Sequence, residues 1–296
     1  MYPTLLDVPS IGLTIGSYHA CIVLAVVVCF AIGPRWIGAV EGLDSRQVFR
    51  AMLILGLAVF IGARLHFVLN HAENFADQPL AALRIWSGGL HAGGGIVLLA
   101  LAVPLTLRWF ALPVGRFADG FAPIVGVGIA IARVGCFLHG CCFGTLCSLP
   151  WGITFPRDTY IYELHADLGL LPPGAEHSLP IHPLQLYFAA AGLTVTAVAL
   201  WLRPRKRYAG EVALVSLVVF SLSTAALEFL RADTQPHPHW WPPQPLMGMA
   251  FAMSAAALAA LAVAELLHRR GRTRRPFSVP AVTAEPLSRQ SAPPVI

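Results

Sequence analysis

The sequence predicts an all-α membrane protein that crosses the bilayer seven times and carries a small cap on its outer side. Hydrophobic residues make up 56% of the chain and charged residues only 12%, about half the charged fraction of an ordinary soluble domain. Seven apolar runs each approach the roughly 20 residues that a membrane helix needs, and none shows the alternation of a membrane β-strand. These runs are 17–33, 49–69, 89–109, 117–138, 183–202, 211–230 and 246–267.

The distribution of positive charge predicts the orientation. Of the 20 Lys and Arg residues, 15 follow the first, third, fifth and seventh runs. Because cytoplasmic loops of membrane proteins are enriched in Lys and Arg, we expect the N-terminus outside and the C-terminus in the cytoplasm. The net charge of +5 is then a topology signal, and we expect no nucleic-acid partner. Met1–Ser17 has no basic residue, so we expect no cleavable signal peptide.

The chain divides into one membrane domain and a tail. Residues 1–270 form the predicted seven-helix domain, which begins with an outer segment, strand or helix, before the first span. Residues 148–181 form the outer cap, with a short helix near Tyr160–Leu168, and are too few to bury an independent core. Residues 271–296 are basic and rich in Pro, Ser and Ala, and are expected to be disordered in solvent or to contact anionic lipid.

The fourth run ends in residues 131–147, the segment with the most side chains that could take part in catalysis or binding. On a continuous helix Arg133, Cys136, Gly140 and Gly144 would share one narrow face. A charge at membrane depth is costly and indicates function. Small residues on the same face would let a helix or a ligand approach the backbone.

The cysteines of this segment allow three interpretations. The spacing of Cys136, Cys141, Cys142 and Cys147 is C-x4-C-C-x4-C, a weak match to the paired C-x-x-C spacing of metal sites. The outer face permits a disulfide between Cys147 and Cys141 or Cys142. Cys136 and Cys142 are also suited to ordinary apolar packing.

Arginines and glycines on the outer side suggest an anion site. Arg64, Arg133 and Arg231 come from three different runs, and converging arginines can hold a phosphate. Glu228 lies three residues before Arg231, so an ion pair is an alternative or additional role for that arginine. The glycine-rich start of the third run, which includes Gly94 and Gly95, is either an anion cradle or a tightly packed start of a helix.

The order of these motifs resembles the phosphatidylglycerol–prolipoprotein diacylglyceryl transferase family of bacteria. Residues 133–144 are similar to the family signature Gly-Arg-x-Gly-Asn-Phe-x-Asn-Gly-Glu-x-x-Gly. Further matches occur in the same order along nearly the whole chain. They are Gly62-Ala-Arg64, Trp86-Ser-Gly-Gly-Leu90, Phe155-Pro156, His182-Pro-Leu-Gln-Leu-Tyr187 and Glu228-Phe-Leu-Arg231.

The resemblance implies a multi-pass enzyme of the bacterial cytoplasmic membrane. It would transfer the diacylglyceryl group of phosphatidylglycerol, or of a related anionic lipid, to the lipobox Cys thiol of a prolipoprotein signal peptide, without a metal or cofactor. Arginines would stabilise the leaving phosphate and a base would deprotonate the thiol. Residues expected to contact the lipid headgroup are Arg64, Arg133, Arg231, Gly94, Gly95, Gly140, Gly144, His182, Gln185, Tyr187 and Glu228.

Several polar residues of the family pattern are replaced. Cys136, His139 and Cys141 stand where the signature has Asn, Asn and Glu. Gly93 stands where the family has a functional His, Phe188 where it has a Glu, and Thr224 where it has an Arg. We expect His91 or His139 to act as the base together with Arg133, although either His is equally suited to an interfacial hydrogen bond. The alternative is an inactive relative that binds lipid or metal or takes part in thiol redox chemistry.

A chemical argument limits what the cysteines can do in this reaction. If Cys136 or Cys141 attacked the glyceryl carbon, the product would be a thioether, which is a poor leaving group. Nucleophilic catalysis by a cysteine of the enzyme suits acyl transfer through a thioester, so a cysteine-dependent activity would indicate a different reaction.

Overall fold

The computed structural model describes residues 4–8, 13–76, 78–84, 88–157, 159–232 and 245–273. Within them the chain forms eight α-helices and a two-stranded antiparallel hairpin. The hairpin strands are β1 Thr4–Val8 and β2 Leu13–Gly16, which fits the predicted short segment before the first span. The helices are α1 Ser17–Glu41, α2 Ser45–Asn70, α3 Ala92–Trp109, α4 Val114–His139, α5 Tyr160–Asp167, α6 Leu184–Leu202, α7 Glu211–Glu228 and α8 Pro245–Thr273.

Six helical segments are long and apolar enough to cross a membrane, and they begin at residues 17, 45, 114, 184, 211 and 251. The remaining predicted span, residues 89–109, is the shorter helix α3, which begins three residues later than predicted. The reason is that Gly88 and Gly89 have positive φ angles of 83° and 84°, which a right-handed helix does not accommodate. The first span is longer than predicted because α1 continues through Pro34 to Glu41.

Close helix crossings rely on glycines at the contacts. A Cβ atom at Gly126 of α4 would lie 2.5 Å from the carbonyl oxygen of Gly192 in α6. Gly135 of α4 packs in the same way against Cys21 of α1. Small residues of this kind allow membrane helices to approach closely and gain van der Waals contact. Helix α4 therefore packs against both α1 and α6 and is the central element of the bundle.

The end of the bundle where α4 begins is held by a buried network of charges that the sequence did not reveal. The fully buried Asp119 accepts hydrogen bonds from the Lys206 Nζ and from the backbone N–H groups of Gly210 and Ala213. Lys206 also pairs with the buried Glu41 at 2.7 Å. The network joins α1 and α4 to the segment between α6 and α7. We call this the basic end.

The opposite end of the bundle, where α4 finishes at His139, carries the cap, and we call it the cap end. Helix α5 lies where a short helix was predicted. The cap residues Phe155, Ile161 and Ile181 form a small buried cluster with Phe143, which belongs to the segment after α4. Because that cluster depends on Phe143, the cap packs on the bundle and is not an independent core, as expected.

Two parts of the prediction lie wholly or partly outside the described residues. Trp86 of the predicted glycine motif is one of them. The tail from residue 274 onward is the other, while 271–273 continue helix α8. The division of the chain at residue 270 stays a prediction.

Candidate functional site

The centre of the site is the turn that ends helix α4. Gly140 adopts a left-handed conformation with φ 83°, and its N–H donates to the carbonyl oxygen of Cys136. Cys142 has φ 58°, which is uncommon for a residue with a side chain. The predicted helical face of Arg133, Cys136, Gly140 and Gly144 is therefore wrong, because the helix stops at His139 and the chain folds back.

The reversal brings three thiols together. The sulfur atoms of Cys136, Cys141 and Cys142 all lie within 4.8 Å of one another, and Cys136 is buried. All six cysteines of the chain are free thiols, so the predicted disulfide to Cys147 is not formed in this structure. Cys147 is buried, and its N–H donates to the Pro180 carbonyl in the cap.

Arg133 faces the cap end from the last turns of α4. Its guanidinium carbon lies 4.3 Å above the ring centre of the buried Phe188 on α6. Such a cation–π contact contributes about 0.5–2 kcal/mol. Among the described residues Arg133 makes no hydrogen bond, so its N–H groups are available to an anion.

Arg231 reaches the same region from the end of α7. An antiparallel bridge pairs Gly144 with Arg231, and the Thr145 N–H donates to the Leu230 carbonyl at 2.8 Å. The Arg231 side chain donates to Glu228 at 3.1 Å, which confirms the predicted ion pair. The other carboxylate oxygen of this buried Glu228 has no hydrogen-bond partner among the described residues.

Both arginines influence the charge state of Cys142. The pKa of the Cys142 thiol is lowered because the Cys136 and Cys141 thiols hydrogen-bond to it and because Arg231 and Arg133 stabilise its negative form. The pKa of Cys141 is raised by its hydrogen bonds to the other two thiols and by burial. A negative charge beside Cys142 is thus favoured by both guanidinium groups.

The motif at residues 182–187 contacts this turn from the start of α6. The fully buried Gln185 donates from Nε2 to the Cys141 carbonyl at 2.7 Å, while its Oε1 has no partner among the described residues. The Tyr187 hydroxyl lies 3.2 Å from His182 Nδ1 and accepts a hydrogen bond from Trp151 at 2.8 Å. Of the three predicted residues, Gln185 contacts the thiol-bearing turn directly, whereas the side chains of His182 and Tyr187 contact each other.

Gly140 and Gly144 serve the backbone in this structure. Gly140 provides the left-handed end of α4. A Cβ at Gly144 would lie 2.9 Å from the His182 carbonyl oxygen and 3.0 Å from that of Leu230. The two glycines therefore allow segments from α4, α6 and α7 to meet, and a direct contact with lipid stays a prediction.

Arg64 has a different role from the one predicted. Its five N–H groups donate to the backbone carbonyls of Ala81, Ala82, Arg84, Gly88 and Gly89, at 2.5–3.3 Å. The side chain is buried. With every donor in use, Arg64 holds the segment between α2 and α3 and offers no hydrogen bond to a phosphate.

His91 lies with a second histidine on α2 and α3. The Asn70 amide nitrogen is 3.2 Å from both His66 Nε2 and His91 Nδ1. A side chain on Gly93 would meet the His66 ring at 3.2 Å, so His66 fills the space where the resembled family has a histidine. The sequence predicted His91 as a base and no such role for His66. The signal that could have indicated it is the position of His66, two residues after Arg64.

Gly94 and Gly95 pack against α2. A Cβ at Gly94 would lie 2.2 Å from the Gly62 carbonyl oxygen, and one at Gly95 would lie 2.9 Å from that of Val59. Close helix packing, the alternative given above, accounts for both glycines. An apolar cavity of about 370 Å³ lies beside them, lined in part by His66.

His139 is exposed at the cap end, and its ring centre lies 5.9 Å from that of Tyr18. It is separated from Cys136 by less than one helical turn. The candidate site thus consists of Arg133, Arg231, the three thiols and Gln185, and His139 follows Cys136 by three residues. Arg64 and His91 belong to a second group on α2 and α3.

The chain was compared with known proteins. The sequence profile of a family described as prolipoprotein diacylglyceryl transferase matches residues 5–267. Relatives named phosphatidylglycerol–prolipoprotein diacylglyceryl transferase include those of Xanthomonas oryzae pv. oryzae, 31% identical over 67% of this chain and 69% of the relative, and of Parasynechococcus marenigrum, 30% identical over 75% and 77%. The protein of Teredinibacter turnerae is 28% identical, and the match spans 69% of this chain and 66% of that relative.

Proposed function

The chain belongs to the prolipoprotein diacylglyceryl transferase family, and from that premise we propose that it transfers the diacylglyceryl group of phosphatidylglycerol to the lipobox cysteine of a prolipoprotein. The observation that carries this proposal is that Arg133, against Phe188, and Arg231, bridged to Gly144, flank the turn that ends α4. The partners are then a membrane lipid and a signal peptide. Both substrates reach the site from the membrane.

The arginines hold the phosphate of the lipid and stabilise its leaving charge. The acceptor sulfur forms a bond to a glyceryl carbon, the bond from that carbon to the phosphate oxygen breaks, and glycerol phosphate leaves with the electron pair. Arg133 has unused N–H donors and lies against Phe188, which keeps its guanidinium in place. Preorganised donors directed at developing charge are worth about 2.7–4 kcal/mol each.

The acceptor thiol must lose a proton before it attacks. His139 is the imidazole nearest in the chain to Cys136 and is exposed, so it accepts the proton and releases it to water. His91, the other predicted base, is held by Asn70 within the second group. Its role, like that of His66, is to shape the start of α3 beside the apolar cavity.

The proposed topology has seven spans, with the N-terminus outside and the C-terminus in the cytoplasm of a bacterial cell. Helix α3 has 18 residues and so extends about 27 Å, close to the thickness of the hydrocarbon core. The charge distribution supports a cytoplasmic basic end, which leaves the cap and the site outside. A fluorescent protein fused after Ile296 tests this, because it becomes fluorescent when folded in the cytoplasm and stays dark if the C-terminus is outside.

The activity is tested with the purified chain in nanodiscs containing phosphatidylglycerol and a peptide with a lipobox. We expect the peptide to gain the mass of one diacylglyceryl group, and the gain to be lost with Arg133→Ala or Arg231→Ala. Arg157→Ala is the matched control, because Arg157 is an exposed arginine of the cap that donates to the Ala175 carbonyl. A chain that leaves the peptide unmodified, beside an active relative under the same conditions, contradicts the proposal.

A further inference from the structure

Neither the proposed reaction nor apolar packing requires three thiols side by side at the cap end. Cys136, Cys141 and Cys142 present three sulfur atoms within 4.8 Å of one another. No fourth His, Cys, Asp or Glu of the described residues belongs to the group. The cysteines cannot be the nucleophile, because their thioether would be a dead end. Catalytic zinc ions, however, are held by three protein ligands and keep a fourth position for water or substrate.

We propose that Cys136, Cys141 and Cys142 bind one Zn²⁺ ion, whose open fourth position takes the acceptor thiol and activates it for attack on the lipid. The inference rests on the proposed function for the identity of the acceptor. It assigns three of the cysteines as ligands, which the C-x4-C-C-x4-C spacing had matched only weakly.

The geometry fits zinc after a small adjustment. Zinc–sulfur bonds of about 2.3 Å in a tetrahedron place the sulfur atoms about 3.8 Å apart, so the three thiols must approach one another by at most about 1 Å. Cys141 and Cys142 lie in the turn after α4, where side-chain rotation meets this need, and Cys136 lies on the last turns of the helix. The left-handed Gly140 and Cys142 are what bring the three sulfurs to one side.

The charges around the cluster fit an anionic metal site. Zinc with three thiolates carries a net charge of −1, and a fourth thiolate makes it −2. Arg133 lies three residues before Cys136 in α4, and Arg231 is bridged to Gly144, two residues after Cys142. Gln185 holds the turn through the Cys141 carbonyl. The same two arginines face the phosphate, so the thiolate and its target are held side by side.

Zinc would complement His139, the proposed proton acceptor, by stabilising the thiolate form of the acceptor. A thiol that coordinates zinc is deprotonated outright. The Glu228 carboxylate is paired with Arg231 and is poorly suited to remove a proton. In the proposed step the acceptor thiol loses its proton to His139 or water as it binds zinc. Its sulfur then forms the bond to the glyceryl carbon while the phosphate leaves with the electron pair. The neutral thioether product is a weak ligand and dissociates.

The choice of zinc over copper follows from the open position. Cu(I) is satisfied by three thiolates and would leave no site for a substrate sulfur, whereas Zn²⁺ prefers four ligands. The full chain, purified in detergent without chelators, is therefore expected to contain about one zinc per molecule. Cys136→Ser and Cys142→Ser should lose the zinc. Cys147→Ser should keep it, because Cys147 is a buried thiol outside the cluster.

Substitution with Co²⁺ gives a readout that does not depend on activity. Cobalt in the thiol cluster should show intense sulfur-to-metal charge-transfer bands, and these should change when a lipobox peptide is added. The same peptide with Ser in place of Cys should leave the spectrum unchanged. Size-exclusion chromatography of each variant in detergent shows whether it remains folded, and chelation of the wild-type chain followed by return of zinc tests the site without any substitution.

Each outcome separates the zinc site from the proposed function. The inference is supported if the chain contains zinc, if the cobalt spectrum responds to the Cys peptide and if chelation abolishes transfer. An active chain without zinc, a preference for Cu(I), or zinc whose removal leaves transfer unchanged overturns it while the proposed function stands. A metal site that responds to the Cys peptide in a chain that transfers nothing from phosphatidylglycerol overturns the proposed function and keeps the thiol-binding zinc site.

Discussion

Replacing Arg133 by Ala tests the chemistry of the site most sharply, because this side chain lies half-buried against Phe188 and makes no hydrogen bond among the described residues. Its removal deletes donors to the leaving phosphate without breaking a buried ion pair. Loss of one preorganised donor to developing charge costs about 2.7–4 kcal/mol. We therefore expect kcat/KM for lipobox peptide modification to fall by about 10²–10³-fold.

Arg133→Lys refines this prediction. Lysine keeps the positive charge but loses the planar guanidinium that stacks on Phe188 and holds a phosphate with two donors. We expect an intermediate loss, about tenfold. The assay is the initial rate of peptide mass gain in phosphatidylglycerol nanodiscs, with Arg157→Ala as the control. A rate for Arg133→Ala within about twofold of wild type refutes the role of Arg133 in stabilising the leaving phosphate.

Three further predictions concern the scaffold. Asp119→Ala removes the carboxylate that accepts hydrogen bonds from Lys206, Gly210 and Ala213. It should lower the free energy of unfolding by about 3–5 kcal/mol, which is measured as a lower thermal midpoint in detergent. An unchanged midpoint contradicts a stabilising role for the network. Burial lowers the pKa of His165 in the cap. Its neutral form therefore stabilises the cap above the unfolded pKa of about 6.5, and this stability is lost as the pH falls below that value. Amide exchange of the cap should accelerate at low pH, and should accelerate less in His165→Gln. Arg64→Ala should accelerate amide exchange in residues 78–84 and 88–91, since five carbonyls lose their donor; unchanged exchange there contradicts its structural role.

The helices were predictable from the sequence because the membrane requires long apolar runs, whatever the tertiary contacts. Their ends depended on single residues. The first apolar run was predicted to end at residue 33, but α1 continues through Pro34 and runs to Glu41. Gly88 and Gly89 delay the start of α3 through their positive φ angles, which no hydropathy pattern reports.

The candidate site was predictable as a set of residues and less so as an arrangement. Arg133 and Arg231 lie on the segments that flank the turn after α4, whereas all donors of Arg64 are bound to five carbonyls of the segment between α2 and α3. The spacing of the cysteines matched a metal site only weakly because it lacks paired C-x-x-C motifs. The reversal at Gly140 and Cys142 is a tertiary feature that the spacing rule does not contain.

The most direct test of the account follows labelled lipid into the peptide. Phosphatidylglycerol carries deuterium either in its acyl chains or in its headgroup glycerol, and the lipobox peptide is weighed after reaction with the wild-type chain. The account predicts that the peptide gains the acyl label and no headgroup label, and that a Ser-for-Cys peptide gains nothing. The adduct should survive neutral hydroxylamine, because its bond to the peptide is a thioether and its acyl chains are oxygen esters. Transfer of the headgroup label, or an adduct that hydroxylamine cleaves as a thioester, would contradict diacylglyceryl transfer by this chain.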